Sequence, residues 1–370
     1  MPKERLKVVI SGGGTGGHVF PALAIARTLQ RRHPGGEILF VGAEGRLEMT
    51  KVPEAGFPIV GLPVRGFDRK RPWRNAGVLV DLWRSLRKAR RIVNDFAPDV
   101  VVGVGGYASG PVCRVAGKKG IPVVLQEQNS YAGVTNRLLA RYASAICVAY
   151  EGMERYFPAE KIVLTGNPVR KEIIEGKVSR EEALAHFGIP AGHEVLLVLG
   201  GSLGATSVNR ALLEKADLWH GRPVFVLWQT GRRDYEWVQK GLEERALPNV
   251  KAVAFIERME MAYAAADVII SRAGAGTISE LAVVGKAVIL VPSPNVAEDH
   301  QTRNAAALVQ KEAALLVRDD ECREKLAETA SRLLENKEER NRLGQRLKEM
   351  ARPDAADRIV DEIMKTVEKR

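Results

Sequence analysis

The chain has 370 residues, with 56 Lys and Arg against 45 Asp and Glu (net charge +11), 45% hydrophobic residues and three cysteines. That balance excludes a disordered chain, a collagen and a disulfide scaffold, and at roughly 150 residues per domain it predicts two or three domains. Cys113, Cys147 and Cys322 have no CxxC spacing, so a cysteine zinc site is not expected and a reduced cytoplasm suits them.

The first predicted strand, Lys7–Ser11, argues against a signal peptide, because only Val8, Val9 and Ile10 separate Lys7 from a glycine cluster. The longest run free of Asp, Glu, Lys and Arg, Val8 to Ala26, holds five glycines and Pro21, so it is no membrane span. The strand leads into Gly12-Gly-Gly-Thr-Gly-Gly17, then His18 and an alanine-rich helix. This succession has the geometry of an anion site: glycines let the backbone close on phosphate oxygens, and the helix start offers free N–H groups. Gly12, Gly14 and Gly17 also satisfy GxGxxG, and Glu44 falls near where a ribose-binding acid would follow the second strand, Ile38–Val41. A nicotinamide dehydrogenase is therefore one reading of this loop, and a tight turn that binds nothing is another. His18 stands at the helix start, which disfavours the imidazolium and leaves a neutral ring able to accept a proton. The plain alternative is a histidine that caps or packs.

Between Arg65 and Arg91 ten residues are basic and two acidic, which points to an anionic partner. Within this stretch Val78, Leu79, Leu82, Trp83 and Leu86 fall on one helical face, with Arg84, Arg87, Lys88, Arg90 and Arg91 around and beyond it. A basic amphipathic helix reads as a membrane-surface element. The alternative is that Trp83 and the leucines are core and the arginines solvated. Asp99–Val104, Pro122–Gln126 and Ala145–Ala149 complete a first βα series, whose nearly continuous apolar runs fit a parallel sheet covered on both faces.

Gly166-Asn-Pro168 interrupts the pattern and predicts a boundary, with residues 1–167 in one domain and 168–353 in a second. Strands are then expected at Glu194–Leu199, Pro223–Trp228, Asn249–Phe255, Asp267–Ser271, Ala287–Val291 and Ala313–Val317. The first of them opens onto Gly200-Gly-Ser-Leu-Gly-Ala205, where Ser202 could add a hydroxyl to a diphosphate. Two such loops, one per domain, favour a group transferase over a one-cofactor dehydrogenase. After Ser271 comes Arg272-Ala-Gly-Ala-Gly-Thr-Ile-Ser-Glu280, with a helix expected from about Thr277 and Glu280 on its first turn. A carboxylate there can accept both hydroxyls of a ribose diol, unless it is an ordinary capping-box glutamate. Asp299–Asn304 opens another helix, with Gln301 and Asn304 on one face to suit sugar hydroxyls. Asp319-Asp-Glu321 reads as a solvated helix start. Pro353 ends the charged helical tail, and Asp354–Arg370 forms an amphipathic helix with Ile359, Val360, Ile363 and Val367 on one stripe.

Taken together, GGGTGGHVFPALA, GGYASGPV (105–112), QEQN (126–129), GNPVR (166–170), GGSLGA, SRAGAGTISE and DHQTRNA resemble the MurG family of cell-wall glycosyltransferases over about residues 8–310. The resemblance implies an α/β chain of GT-B type: two Rossmann-like parallel-sheet domains facing across a cleft that holds the active site, with helix 354–370 returning to the N-terminal domain. It also implies transfer of N-acetylglucosamine (GlcNAc) from UDP-GlcNAc to the 4-hydroxyl of the N-acetylmuramic acid (MurNAc) of lipid I, the undecaprenyl-diphosphate-linked MurNAc-pentapeptide. The products would be lipid II and UDP, formed with inversion at the cytoplasmic face of the cell membrane. Carried over by motif, Thr15, Gly16 and Gly17 would lie near the donor diphosphate and sugar, and Asn129, Arg170 and Ser202 would line the donor site. Ile256 would meet the uracil through its backbone. Ala275, Gly276, Thr277, Ile278, Ser279 and Glu280 would hold the nucleoside, and Gln301 the GlcNAc hydroxyls. Tyr107 would help hold the acceptor, while Leu79, Leu82 and Trp83 would meet an anionic membrane surface.

Where the family commonly has His-Glu-Gln-Asn, this chain has Gln126-Glu-Gln-Asn129, which leaves His18 and Glu127 as base candidates. With no DxD motif, no metal and no cofactor are expected; backbone N–H groups, helix starts and Arg170 would stabilise the leaving UDP. A UDP-GlcNAc 2-epimerase on the same scaffold is the alternative. A nucleic-acid-binding protein is disfavoured by 6% aromatic residues and the lack of a recognition motif.

Overall fold

The structure, a computed structural model, describes residues 5–65, 76–201, 204–296 and 299–369. The chain divides into two compact units. One runs up to Val169 and takes back Arg352 onward; the other is Arg170–Ala351.

In the first unit seven strands form one sheet: Lys7–Ser11 (β1), Glu37–Ala43 (β2), Ile59–Leu62 (β3), Val100–Gly103 (β4), Val123–Glu127 (β5), Ala145–Val148 (β6) and Ile162–Leu164 (β7). Their order is β3-β2-β1-β4-β5-β6-β7, and all pairs are parallel. Val9, Val101 and Leu125 pack towards the helices Ala76–Phe96, Ser109–Lys118 and Val134–Leu139. Val8, Ile10 and Val102 face the helices Gly16–Arg32 and Ala355–Glu368 on the other side. This two-sided cover is why the central strands read as unbroken apolar runs. The edge strands β3 and β7 escape such a reading. They hold four and three residues and offer too short a pattern for periodicity to resolve.

Helix Ala355–Glu368 buries Ile359, Val360 and Ile363 in the first unit's core. Its outer edge pairs with the end of Gly16–Arg32: Arg31 reaches Asp357 at 2.9 Å and Arg32 reaches Asp361 at 2.7 Å.

The second unit holds Glu194–Leu199 (β8), Val224–Gln229 (β9), Val250–Val253 (β10), Val268–Ser271 (β11), Ala287–Leu290 (β12) and Leu315–Leu316 (β13), in the order β10-β9-β8-β11-β12-β13. These strands are also parallel. Trp219 and Trp228 are fully buried in its core.

Both sheets reverse their strand order once, between β1 and β4 and between β8 and β11. Adjacent crossover loops part at such a point and leave a crevice beyond the carboxyl ends of the strands, where ligands of open α/β sheets bind. The glycine loops follow these four strands.

Helix Ala76–Phe96 departs from its expected pattern. Leu79 and Trp83 are 68% and 60% exposed, and Leu82 is exposed beside them, whereas Leu86 turns inward onto the core. The buried side of its first half is polar, with Asp81 and Ser85, and becomes apolar only at Ala89, Ile92 and Val93. The single apolar face is thus two: one packs and the other faces solvent. No helix among the described residues is long and apolar enough to cross a membrane.

Candidate active site

The loop after β1 places Thr15 at the cap of helix Gly16–Arg32. The Thr15 hydroxyl is not used on the backbone; its Oγ1 lies 3.2 Å from His18 Nδ1. The His18 ring is half-buried and lies along the loop after β4, where a Cβ on Gly105 would come within 2.7 Å of it. Gly106, at φ +82°, touches the Gly13 backbone so closely that any side chain would collide with it. Two glycine loops therefore rest on each other, and His18 is seated at their junction. Tyr107, next in the second loop, is 59% exposed. The anion-cradle expectation needs correcting at one atom: the Gly14 N–H is already bonded, at 2.9 Å, to the carboxyl of Glu48. Glu44 pairs with Lys88 at 3.0 Å.

The end of β5 carries Gln126-Glu-Gln-Asn129. Glu127 is buried, and both its oxygens are engaged. Oε1 accepts from the Asn129 N–H (3.1 Å) and side-chain amide (3.3 Å); Oε2 accepts from the Gly133 N–H (3.0 Å) and Asn136 Nδ2 (2.9 Å). Burial pushes its carboxyl up, against the downward pull of these donors. Gln126 is buried as well, donating to Asn167 Oδ1 at 2.9 Å and accepting from Gln128. Asn167 returns a bond to the Gln128 carbonyl, so neutral amides knit the β5 loop to the Gly166-Asn-Pro segment.

In the second unit, helix Ala275–Val284 starts two residues before the expected position, so Glu280 lies on its second turn. Ala275 and Ile278 are buried, and Gly276, Thr277 and Ser279 are half-buried. Glu280 forms a bidentate pair with Arg170, at 2.6 and 2.8 Å, and accepts from the Tyr263 hydroxyl at 3.3 Å. Hydrogen bonding to Glu280 raises the Arg170 guanidinium above its ordinary value, while burial and the Glu280 charge push Tyr263 up. The capping-box alternative for Glu280 is not what forms, because its carboxylate holds side chains instead of the helix start. The Ile256 N–H donates to Gln229 Oε1 at 2.9 Å, and its side chain is buried. Gln301 Oε1 accepts from the Ala273 and Ser293 N–H groups, bracing the loop after β11. Ser202 lies outside the described residues.

The sequence reading overlooked several groups that hold these loops. Arg272 bonds the Val291 and Pro292 carbonyls, Ser207 Oγ and Asp319, the last at 2.5 Å. Asp319 is thus engaged, while Asp320 beside it stays exposed as expected of a helix start; the strand Leu315–Leu316 shortly before it was the available signal. Asp234 accepts from Thr206 and Asn209 at the exit of the Gly200 loop. The three cysteines are free and buried, and burial pushes Cys113 and Cys147 up to about 12, which leaves them inert as nucleophiles.

Residues 8–148 match the glycosyltransferase family 28 N-terminal domain and residues 195–359 the glycosyltransferase family 28 C-terminal domain. The chain is 54% identical over 368 residues to the UDP-N-acetylglucosamine--N-acetylmuramyl-(pentapeptide) pyrophosphoryl-undecaprenol N-acetylglucosamine transferase of Parabacteroides distasonis, covering 99% of this chain and 100% of that one. It is 53% identical to the enzyme of the same name from Porphyromonas gingivalis, covering 98% of this chain and 96% of that one. The crystal structure of Acinetobacter baumannii MurG superposes with a TM-score of 0.81 at 30% identity, over 97% of this chain and 99% of that one. A UDP-GlcNAc 2-epimerase from Neisseria meningitidis shares the fold at 16% identity, over 98% of this chain and 100% of that one, with a TM-score of 0.66. With two doubly wound sheets, a glycine loop at each strand-order reversal and full-length identity above one half, the chain belongs to the MurG family of glycosyltransferases.

Proposed function

We propose that this family member moves GlcNAc from UDP-GlcNAc to the MurNAc 4-hydroxyl of lipid I by direct displacement, with His18 as the base. The products are lipid II and UDP, and attack opposite the leaving group inverts the anomeric carbon. A sugar hydroxyl is a weak nucleophile at neutral pH, and a positioned base contributes about 10²–10⁴-fold. The observation that carries the assignment is the seat of His18: Thr15 engages Nδ1, and the ring lies between two glycine loops at the strand-order reversal. Glu127, the other candidate, already accepts from four N–H groups in a buried pocket, which suits it to holding Asn129 and not to taking a substrate proton.

The donor reading rests on the second unit. Glu280, aligned by Arg170 and Tyr263, offers two oxygens suited to the ribose diol. Arg170 and the start of helix Ala275–Val284 can offset charge growing on the leaving UDP. The loop that Gln301 braces suits the sugar, and Ile256 the uracil. Thr15, Gly16 and Gly17 are assigned to the donor diphosphate and sugar as displacement proceeds, Asn129 to the donor site, and Tyr107 to the acceptor.

Leu79, Leu82 and Trp83 project from a helix rich in arginine, which supports peripheral binding to the anionic cytoplasmic leaflet that carries the acceptor lipid. Each basic residue at such a surface contributes about 1 kcal/mol.

Incubating the protein with UDP-GlcNAc, with and without lipid I, tests the activity. Lipid II and UDP are expected only when lipid I is present. Sugar isomerisation with UDP-GlcNAc alone would establish the epimerase instead.

A further inference from the structure

Glu48 opens the short helix Glu48–Glu54 and is 1% exposed. Its carboxyl joins two loops that follow neighbouring strands. Oε1 accepts from the Ala43 N–H at the end of β2, and Oε2 from the Gly14 N–H after β1, both at 2.9 Å. A buried carboxylate is costly unless donors replace its water, and here two backbone N–H groups do so. Glycines keep its place clear. A Cβ on Gly42 would come within 2.5 Å of Glu48 Cγ, and one on Gly13 would strike the carboxyl group itself.

Gly14 immediately precedes Thr15, whose hydroxyl meets His18 and whose carbonyl accepts the His18 and Val19 N–H groups. A side chain that fixes Gly14 therefore fixes the entry to the turn that aims His18. We infer that Glu48 is a positioning residue for the transfer step, holding the first glycine loop so that Thr15 and His18 face the acceptor hydroxyl. The inference rests on the reading of His18 as the base.

The test compares Glu48→Gln, Glu48→Asp and His18→Ala in the full chain. Turnover, KM for UDP-GlcNAc, melting temperature and hydrogen exchange at the Gly14 amide are measured for each. Gln keeps one acceptor but sets an NH₂ against the other N–H, and Asp is too short to bridge both loops. In both Glu48 variants turnover is expected to fall by about tenfold or more, because small misplacements of a catalytic group are costly, with KM for UDP-GlcNAc within about twofold. The Gly14 amide is expected to exchange faster in both.

Turnover at the original level despite faster Gly14 exchange would overturn the inference, as would a rise in donor KM matching the loss of turnover. If neither variant folds, Gly13→Ala displaces the carboxyl with Glu48 in place and carries the same expectation. If His18→Ala keeps its turnover while the Glu48 variants lose theirs, the base assignment fails and the positioning of the loop stands. The opposite pattern removes the positioning role and leaves the base.

Discussion

On Glu280 the proposed ribose contact and an internal ion pair would meet at one carboxylate. In this structure its carboxylate is held by Arg170 and Tyr263, an arrangement that orients both oxygens before any nucleotide arrives. Exchanging it for glutamine removes the charge that a ribose diol would bind and leaves Arg170 without its bidentate partner. Glu280→Gln is expected to weaken UDP by about tenfold or more, the cost of losing a hydrogen bond to a charged group. Titration with UDP and 2′-deoxy-UDP separates the two tasks. Ribose binding predicts that the preference for UDP collapses, whereas a role confined to holding Arg170 predicts equal weakening of both. Glu280 was legible in the sequence because a glycine loop, a helix and an acid followed a strand. Tyr263 was not, since an aromatic residue in an apolar helix carries no mark of what its hydroxyl will meet.

At the level of single elements, helix Ala76–Phe96 divides its surface between packing and solvent. Its inner face packs Ala89, Ile92 and Val93, and its outer face leaves Leu79, Leu82 and Trp83 exposed among arginines. Trp83 and Leu79 contribute little to the core, so replacing both with serine should cost little stability while weakening attachment to a bilayer. The Leu79→Ser, Trp83→Ser double variant is expected to co-sediment less with vesicles containing anionic lipid, by about tenfold or more for two large apolar groups withdrawn from the interface. Its melting temperature should stay near that of the parent. Unchanged co-sedimentation would move the membrane contact elsewhere. Sequence spacing grouped Leu86 with Leu79, Leu82 and Trp83, and the structure separates it onto the core, because a helical wheel does not state which side the sheet will cover.

For the whole molecule, the return of the chain to its first unit decides how that unit is stabilised. Ile359, Val360 and Ile363 complete a core whose other members lie hundreds of residues earlier. Removing residues 352–370 would uncover that surface and break the pairs of Arg31 and Arg32 with Asp357 and Asp361. At about 1.5–3 kcal/mol per buried aliphatic side chain, the loss is on the order of 5 kcal/mol, comparable with the stability of an ordinary domain. The truncated chain is expected to show an early calorimetric transition from the first unit, while the second melts as before and still binds UDP. A single unshifted transition would show that the helix is dispensable.

The central strands, the glycine loops and the family were all written in local pattern. Buried parallel strands must be apolar on both sides, and backbone that approaches a neighbouring loop must be glycine. Only the tertiary structure decided the partners of the polar side chains: Glu48 under Gly14, Gln126 against Asn167, and Asp319 against Arg272. Those pairings join residues from separate loops, or from loop and strand ends, and they follow from where the sheets bring the loops together. A carboxylate in sequence looks the same whether it will face water, a substrate or a backbone N–H, because its role is set by the donors that replace its solvent.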